Sequence, residues 1–263
     1  MELNFEKQEL RCLGTAVQEV RNCELTQEIR LPDGMPDVGR VVSAWGQVIL
    51  RGKEWRSDSI SLSGGMMVWV LYAPEDGTPE RSIDAWIPFQ MEWDLSEDTP
   101  EGTIRVLVLP RFVDGRSTSA RKIMVRSGVA AMAEAYVPET VEVFIPGEVP
   151  EGVQILQSTY PVRLPVEAGE KTFLLDEDLV LPDSAPQPEK ILSYRLNPKI
   201  TDRKVLSNKV VFRGNGNLRV LYRSEEGQVH SWDFDIPFSQ YAALDGEHGT
   251  EALADFWLVP TGI

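Results

Sequence analysis

Two stretches of nine residues, 150 positions apart, spell nearly the same sequence: "GGMMVWVLY" at 64–72 and "GNGNLRVLY" at 214–222. The likeness extends upstream at the same offset, where "LPDGMP" (31–36) meets "LPDSAP" (181–186). Ten of the 43 pairs that begin with positions 31–73 are identical. A long internal period of this kind predicts two copies of one fold, copy one and copy two.

Apolar residues alternate with other residues through both stretches. At even positions they are Ile60, Leu62, Met66, Val68, Val70 and Tyr72 in copy one, and Val210, Phe212, Leu218, Val220 and Tyr222 in copy two. The odd positions are mixed and include Arg213 and Arg219. A period of two residues predicts a strand with one buried face. We therefore expect the even positions to be buried and both arginines to be exposed.

A glycine interrupts the alternation at the same place in each copy. A two-residue hairpin there would reverse the parity and bury Asn217 and Arg219 while exposing Leu218 and Val220. One continuous strand is therefore predicted to run through Gly64 and Gly214. Glycine at such a place permits a bulge, a bend or a close backbone approach.

The flanking segments also favour β structure. Hairpin loops are predicted at "APEDGTPE" (73–80) and "RSEEGQVH" (223–230). The segments "LRCLGTAVQEV" and "CELTQEIRL" predict a strand pair, with "YPVRLPVEA" and "KTFLLDEDLVL" as its copy-two equivalents. "MPDVGRVVSA" allows one helical turn starting at Pro36, and residues 121–136 fit either helix or strand. The predicted fold is all-β, with two tandem domains that are each a sandwich or a partly open barrel.

The repeat sets the domain boundaries. Residues 1–137 form a first β domain, 138–155 an acidic connector and 156–263 a second β domain. Copy two lacks equivalents of residues 114–137, so the chain is interpreted as a fragment of a longer protein. If that segment is a strand in copy one, copy two has an unpaired edge that accepts a strand from outside, either a downstream segment, a second molecule or a partner. Alternatively, residues 140–146 could fold over that edge.

Composition narrows the class of protein. The chain has 42% hydrophobic and 25% charged residues, as in globular proteins. Its net charge of −15 disfavours sequence-independent binding to nucleic acid or anionic lipid. The first residues carry no apolar run of signal-peptide length, and no stretch reaches the roughly 18 apolar residues of a membrane helix. We expect a cytoplasmic protein with no transmembrane segment.

Residues able to support catalysis are few. His230 and His248 are the two histidines, and the second lies near Asp245, Glu247 and Glu251 in a loop. A single imidazole in a loop is a weak metal site, and a solvated loop is the simpler interpretation. No G-x-S-x-G motif is present, and "GNGNL" lacks the lysine of a phosphate loop. The acidic run 74–102 fits exposed turns and strand faces. We predict no enzyme activity, catalytic residue, metal or cofactor.

The two cysteines, Cys12 and Cys23, align with Val162 and Phe173 in copy two. Because those equivalents are apolar, the cysteines are interpreted as small buried hydrophobic residues with free thiols. A cross-strand disulfide is the alternative.

Trp69 occupies the odd position where copy two has Arg219. A tryptophan on that face could contact the other copy, a partner or a sugar, or it could pack under a loop. Trp69 and Arg219 are therefore the candidate partner-contact residues. The chain has seven tryptophans, which would also suit a carbohydrate-binding or cell-wall-binding β module. That function is the alternative to a protein-interaction role.

The ordered set of "LPDGMPDVGRVVSAWGQV", the glycine-interrupted strand ending in "VLY", and "IPF" resembles the SPOCS domain of SipL-like proteins from spore-forming Firmicutes. "LPDSAPQPEKILSY" and the segment from "VVFRGNGNLRVLY" to "DFDIPFS" resemble it more closely. The resemblance implies a non-catalytic scaffold or interaction module of the spore envelope. It further implies the mother-cell cytoplasm at the forespore surface, the coat-basement ATPase SpoIVA as partner, and possible self-association. Family members commonly end in a LysM module, and nothing in this chain resembles one, so SpoIVA binding is not carried over directly.

Overall fold

The computed structural model describes residues 5–147, 152, 154 and 156–263, and these residues contain strands and no helix. The strands are β1 (Phe5–Arg30), β2 (Val38–Trp55), β3 (Ser59–Pro74), β4 (Arg81–Asp94), β5 (Thr103–Ser119), β6 (Lys122–Pro146), β7 (Pro188–Ser224) and β8 (Val229–His248). The predicted all-β class is confirmed. The helical turn considered near Pro36 is absent from the described residues, and 121–136 falls almost entirely within β6.

Copy one consists of two antiparallel sheets of three strands, ordered β1-β6-β5 and β2-β3-β4. Apolar side chains from both sheets form one core between them. The most completely buried are Ile60, Leu62, Met66, Val68, Val70, Tyr72 and Trp93 from one sheet, and Ile123, Val125, Val129, Ala131, Ala133 and Ala135 from the other. Neither sheet closes on itself. Copy one is therefore a sandwich.

In copy two, β7 folds back along itself. Arg223 contacts Glu189, and Thr201 donates a hydrogen bond from its hydroxyl to the carbonyl of Arg213 at 3.3 Å. These contacts place the two halves of β7 side by side and antiparallel. The chain reverses near Ser207, which has a φ of +51°. The first half of β7 corresponds to β2 and the second half to β3. Strand β8 pairs with β7 and corresponds to β4.

Matching backbone hydrogen bonds recur in the two copies at an offset of 150. The amide of Met35 donates to the carbonyl of Pro32 at 3.2 Å, and Ala185 donates to Pro182 at 2.8 Å. Likewise, Glu75 donates to Asp37 in copy one, and Glu225 donates to Gln187 in copy two. The internal sequence repeat thus corresponds to a repeated local structure.

Close approach explains the shared glycine. A Cβ atom on Gly64 would lie 2.5 Å from the carbonyl oxygen of Ile49 and 2.9 Å from the ring of Phe89. A Cβ atom on Gly214 would collide with the carbonyl of Lys199 and the ring of Phe238. The strand continues through the glycine in both copies, as predicted, because the neighbouring backbone and a phenylalanine occupy the space of a side chain.

Burial follows the predicted parity more closely in copy one than in copy two. All seven even positions from 60 to 72 are buried, whereas Leu218 and Val220 are half-buried. Arg213 and Arg219 are exposed, as expected. The odd face of β3 departs from the expectation, because Trp69 and other odd positions are buried as well. On this face Tyr194 of copy two packs against Trp69, Trp86 of β4 covers Gly65, and Ser63 stays exposed.

Three expectations about the flanking segments need correction. Residues 10–31 do not form a strand pair, because β1 runs continuously through 5–30 and pairs with β6 along that length. The copy-two equivalents, at 160–168 and 171–181, are not strands. The first part of the connector, 138–146, continues β6 and pairs with the start of β1, so 140–146 does not cover an edge of copy two. Connector residues 148–151, 153 and 155 lie outside the described residues.

Both cysteines are free thiols, with Cys12 buried and Cys23 half-buried. Burial raises the pKa of the Cys23 thiol, which makes it a weak nucleophile. The intact mass of the purified protein should be unchanged by reductant. A loss of two protons under non-reducing conditions would show a disulfide instead.

Replacing the paired valines tests the parity. Val70→Asp should lower the free energy of unfolding by about 3–5 kcal/mol, because Val70 is fully buried and an unpaired charge there is costly. Val220→Asp should cost roughly half as much, since Val220 is half-buried. Urea denaturation of both variants provides the measurement. An equal cost at the two sites would contradict the burial difference.

Candidate functional site

Trp69 lies at the contact between the two copies. Its ring meets that of Tyr194 edge to face, with centroids 4.9 Å apart and planes at 64°. Only 5% of Trp69 is exposed. Of the contacts that the sequence allowed for Trp69, the structure shows the contact with copy two. The indole is not accessible to a sugar or an external partner in this arrangement.

Polar contacts surround this aromatic pair. The amide of Leu196 donates to the side-chain oxygen of Gln47 at 3.1 Å. The hydroxyl of Ser82 donates to the carbonyl of Leu192 at 2.6 Å. Arg223, which is 5% exposed, donates to the carbonyl of Glu80 at 3.0 Å. These directional bonds fix how copy two sits on copy one.

Arg219 lies on the solvent-exposed face of copy two. Its guanidinium makes two hydrogen bonds of 2.7 Å to the carboxylate of Asp233. That bidentate contact lowers the pKa of Asp233. Arg219 is therefore solvent-exposed and ion-paired, and the structure does not bring it together with Trp69.

A cleft of about 810 Å³ separates β5 from the first half of β7. Three cations of β7, Arg195, Lys199 and Arg203, line one side, and Trp257 lies at another. Sequence analysis missed this cleft because its walls come from both copies. The signal available in the sequence was the regular spacing of Arg195, Lys199 and Arg203 along β7.

The segment at 156–181, the N-terminal arm of copy two, corresponds to β1. Its contacts with neighbouring elements include those of Pro165, Glu167 and Phe173. The carbonyl of Pro165 accepts a 2.7 Å hydrogen bond from Leu13 of copy one. The carboxylate of Glu167 lies 2.7 Å from the ring of His248 and accepts the amide of Asp245 at 2.6 Å. The ring of Phe173 packs on Phe238 with centroids 5.3 Å apart.

The segment at 249–263, the C-terminal arm of copy two, corresponds to the start of β5. Phe256 packs against Phe212 with centroids 4.8 Å apart. Arg105 of copy one lies 3.8 Å over the ring of Trp257 and donates to the carboxylate of Asp255 at 2.5 Å. The amide of Leu50 donates to the carbonyl of Pro260 at 3.0 Å. This arm is also fixed in place without belonging to a sheet.

Few backbone groups in the N-terminal arm are paired. In the described part of the chain, residues 156–181 make one backbone–backbone hydrogen bond, from Leu13 to Pro165. The arm also exposes a series of large apolar side chains: Leu156, Tyr160, Val162, Leu164, Val166, Leu174, Leu179 and Val180. An anchored segment with free backbone groups and exposed apolar side chains is suited to pairing with another strand.

The histidines do not assemble a metal site within the residues described. His248 contacts Glu167 rather than the nearby loop carboxylates considered from the sequence. The described residues contain no group of three or more His, Cys, Asp or Glu arranged to hold a metal ion. No helix among them is long and apolar enough to cross a membrane.

The geometry defines a two-copy β protein with a fixed inter-copy contact and two unpaired arms. Residues 187–259 match the family model described as the SipL, SPOCS domain. This confirms the predicted family for the segment, which lies within copy two. No curated protein and no solved structure matches the chain significantly. Membership of copy one in the same family stays a prediction.

Truncation of Trp69 tests the inter-copy contact. Trp69→Ala should lower the free energy of unfolding by about 3–5 kcal/mol, because it removes a large buried ring. A double-mutant cycle with Tyr194→Ala should give a coupling energy of about 0.5–1.5 kcal/mol. Trp232→Ala is the control, since Trp232 is 37% exposed and should cost less. Zero coupling between Trp69 and Tyr194 would contradict the contact.

The Glu167 contact predicts a pH dependence. Partial burial favours the neutral acid, but hydrogen bonds from His248 and two backbone amides outweigh it, and the pKa of Glu167 is lowered from 4.5. Its stabilising contribution is therefore present above pH 4.5 and is lost as pH falls through the lower folded value.

Between pH 5 and pH 3, the free energy of unfolding of the wild type should fall by about 1 kcal/mol more than that of Glu167→Gln. Thermal unfolding across this range provides the measurement, and Glu226→Gln, in an exposed hairpin loop, is the control. Identical pH profiles for wild type and Glu167→Gln would contradict this role.

Proposed function

We propose that this protein is a non-catalytic scaffold or protein-interaction module in spore envelope morphogenesis. The observation that carries the proposal is the match of residues 187–259 to the SipL SPOCS domain. The structure supports it in a second way, because copy two is mounted on copy one by directional contacts and presents two anchored, unpaired arms. Such an arrangement suits a module that holds partners in a defined geometry.

We propose the mother-cell cytoplasm, at the forespore surface, as the site of action, and an envelope protein of the coat-basement SpoIVA type as the partner class. Both follow from the family resemblance. The carbohydrate-binding alternative rested on the seven tryptophans of the chain, and one of them, Trp69, is buried and not available to a sugar. The protein-interaction role is therefore preferred.

Deletion and complementation in a sporulating host test the proposal. Loss of the gene should leave vegetative growth unchanged and produce spores with a defective envelope, seen by electron microscopy and by lysozyme sensitivity. A fluorescent fusion of the wild-type chain should restore the envelope and collect at the mother-cell face of the forespore. Val70→Asp, which disrupts the core of copy one, should fail to restore it. Normal spores from the deletion strain would overturn the proposal.

A further inference from the structure

We infer that the proline of the repeated "IPF" sequence prevents the edge strand of each copy from pairing with the same strand of a second molecule. The sequence occurs at 87–89 in copy one and at 236–238 in copy two. The inference goes beyond the role in the spore envelope, because it concerns self-association of the purified fold. It assigns a purpose to a proline that recurs in both copies at the same place in the sheet.

Both prolines lie in a strand at the edge of a sheet. Strand β4 pairs with β3, β8 pairs with β7, and neither has a second partner strand among the described residues. An edge strand presents a row of unpaired amide and carbonyl groups, which can pair with a strand of another molecule. Strand β4 has 14 residues and β8 has 20, so both edges are long enough for such pairing. Pro88 and Pro237 are exposed at these edges.

The hydrogen bonds of β4 show which of its backbone groups point outward. Neighbouring residues of a strand direct their amide and carbonyl groups to opposite sides. The amide of Leu95, directly after β4, donates to the carbonyl of Asp58, directly before β3, at 2.7 Å. The register between β3 and β4 is continuous, so odd positions of β4 face β3 and even positions face outward. The carbonyl of Glu92 agrees, because it accepts a hydrogen bond from Arg21 of β1.

Pro88 is an even position, so its missing amide hydrogen belongs to the outward row. Its neighbours Ile87 and Phe89 direct their backbone groups to β3 and bury their side chains in the core. The pairing with β3 therefore loses no donor at Pro88, whereas the free edge does. Proline in this position obstructs the addition of a strand without weakening its own sheet.

Copy two repeats this arrangement with the opposite parity. In the hairpin between β7 and β8, the amide of Ser224 donates to the carbonyl of Gln228 at 2.8 Å. Even positions of β8 therefore face β7 and odd positions face outward, and no register shift separates this hairpin from Pro237. Pro237 thus also removes a donor from the outward row. The proline does not serve a bulge, since the register continues on both sides of it in each copy.

Side chains bind the outward carbonyls at the two ends of the β4 edge. Arg21 binds the carbonyl of Glu92, and Arg223 of copy two donates to the carbonyl of Glu80, directly before β4, at 3.0 Å. Within the part of the chain that the structure describes, no side chain donates to or accepts from the backbone of 82–90. Pro88 lies in this middle section, where it is the obstacle to another strand.

The β8 edge has the same combination. Near its end, the amide of Asp245 donates to the carboxylate of Glu167 at 2.6 Å. Between 231 and 243, no hydrogen bond from a side chain to the backbone is present among the described residues. Pro237 lies at the centre of that section. Two copies of one fold therefore protect their edges in the same way, although their hairpin loops differ in length.

The strand that each proline excludes is the same edge of a second molecule. Two β4 strands, or two β8 strands, meet in an antiparallel pair when the molecules are related by a two-fold axis. Each strand would then offer its outward row to an identical row. A proline in that row supplies no donor, and its ring occupies the space that the approaching strand needs.

The test uses the full chain with Pro88→Thr and Pro237→Thr combined, which restores an amide to each edge without adding a large apolar side chain. Sedimentation velocity should show that this variant self-associates at protein concentrations at least about tenfold lower than the wild type does. The two single variants should each associate more strongly than the wild type and less strongly than the double variant. Circular dichroism and the unfolding temperature establish that the variants are folded.

Gln90→Thr and Ser239→Thr are the matched controls. Both residues are exposed and lie two positions from a proline in the same outward row, but they already carry an amide. Threonine there raises strand propensity without adding a donor, so these variants should sediment as the wild type does. Adding Gln90→Pro and Ser239→Pro to the double variant returns a proline to each outward row and should restore the sedimentation of the wild type.

Hydrogen exchange of the wild type tests the geometry without any substitution. In the monomer, the outward amides of Asp84 and Gln90 should exchange at least about tenfold faster than the amides of Ile83 and Phe89, which face β3. In the associated double variant, the amides of Asp84 and Gln90 should become protected. Residue-resolved NMR provides both measurements.

Three outcomes would overturn the inference. The first is a double variant that sediments as the wild type does at every concentration. The second is equal self-association of the threonine controls, which would assign the effect to strand propensity rather than to the restored amide. The third is slow exchange of Asp84 and Gln90 in the monomeric wild type, which would show that the outward row is already paired.

Discussion

The backbone hydrogen bonds made by β6 are the interaction on which the architecture of copy one depends. Antiparallel strands need a partner for their amide and carbonyl groups, and β6 supplies one to β1 and to β5 at the same time. Its small buried side chains then allow the two sheets to approach. In copy two, no described residue occupies the position equivalent to β6. The segments that correspond to β1 and β5 form anchored arms there instead of strands. The same type of sequence thus adopts different secondary structure according to whether a neighbour is available.

The contact between the copies has a second effect on the fold. Because Tyr194 packs against Trp69, the odd face of β3 is buried at that point, where a half-buried strand would be exposed. The equivalent half of β7 keeps an exposed, charged face. Copy two therefore buries part of the outer face of copy one, while its own outer face remains exposed to solvent.

Local patterns predicted local features well. Alternation placed the even side chains of β3 in the core, and the repeated glycine marked a real close approach between strands. Features that depend on distant residues were not accessible in the same way. The pattern in residues 10–31 contains turn-like residues, yet a partner of equal length, β6, keeps the chain extended as one strand. Likewise, the burial of Trp69 depends on Tyr194, 125 positions away, which no local pattern reveals. The arms could be identified as lacking a partner only because the repeat aligned them with paired segments.

The exchange of Trp69 for Arg219 at one repeated position distinguishes an internal repeat from a terminal one. Repeats that stack on neighbours carry apolar faces where they are covered, and the last unit of a stack carries a polar face that stops its growth. Copy one has the covered type of face. Copy two has the terminal type, where Arg219 is neutralised by Asp233 at the surface. The face around Arg219 is therefore charged and solvated where its counterpart in copy one packs against a second unit, so a further unit of the same kind would find no equivalent apolar surface there.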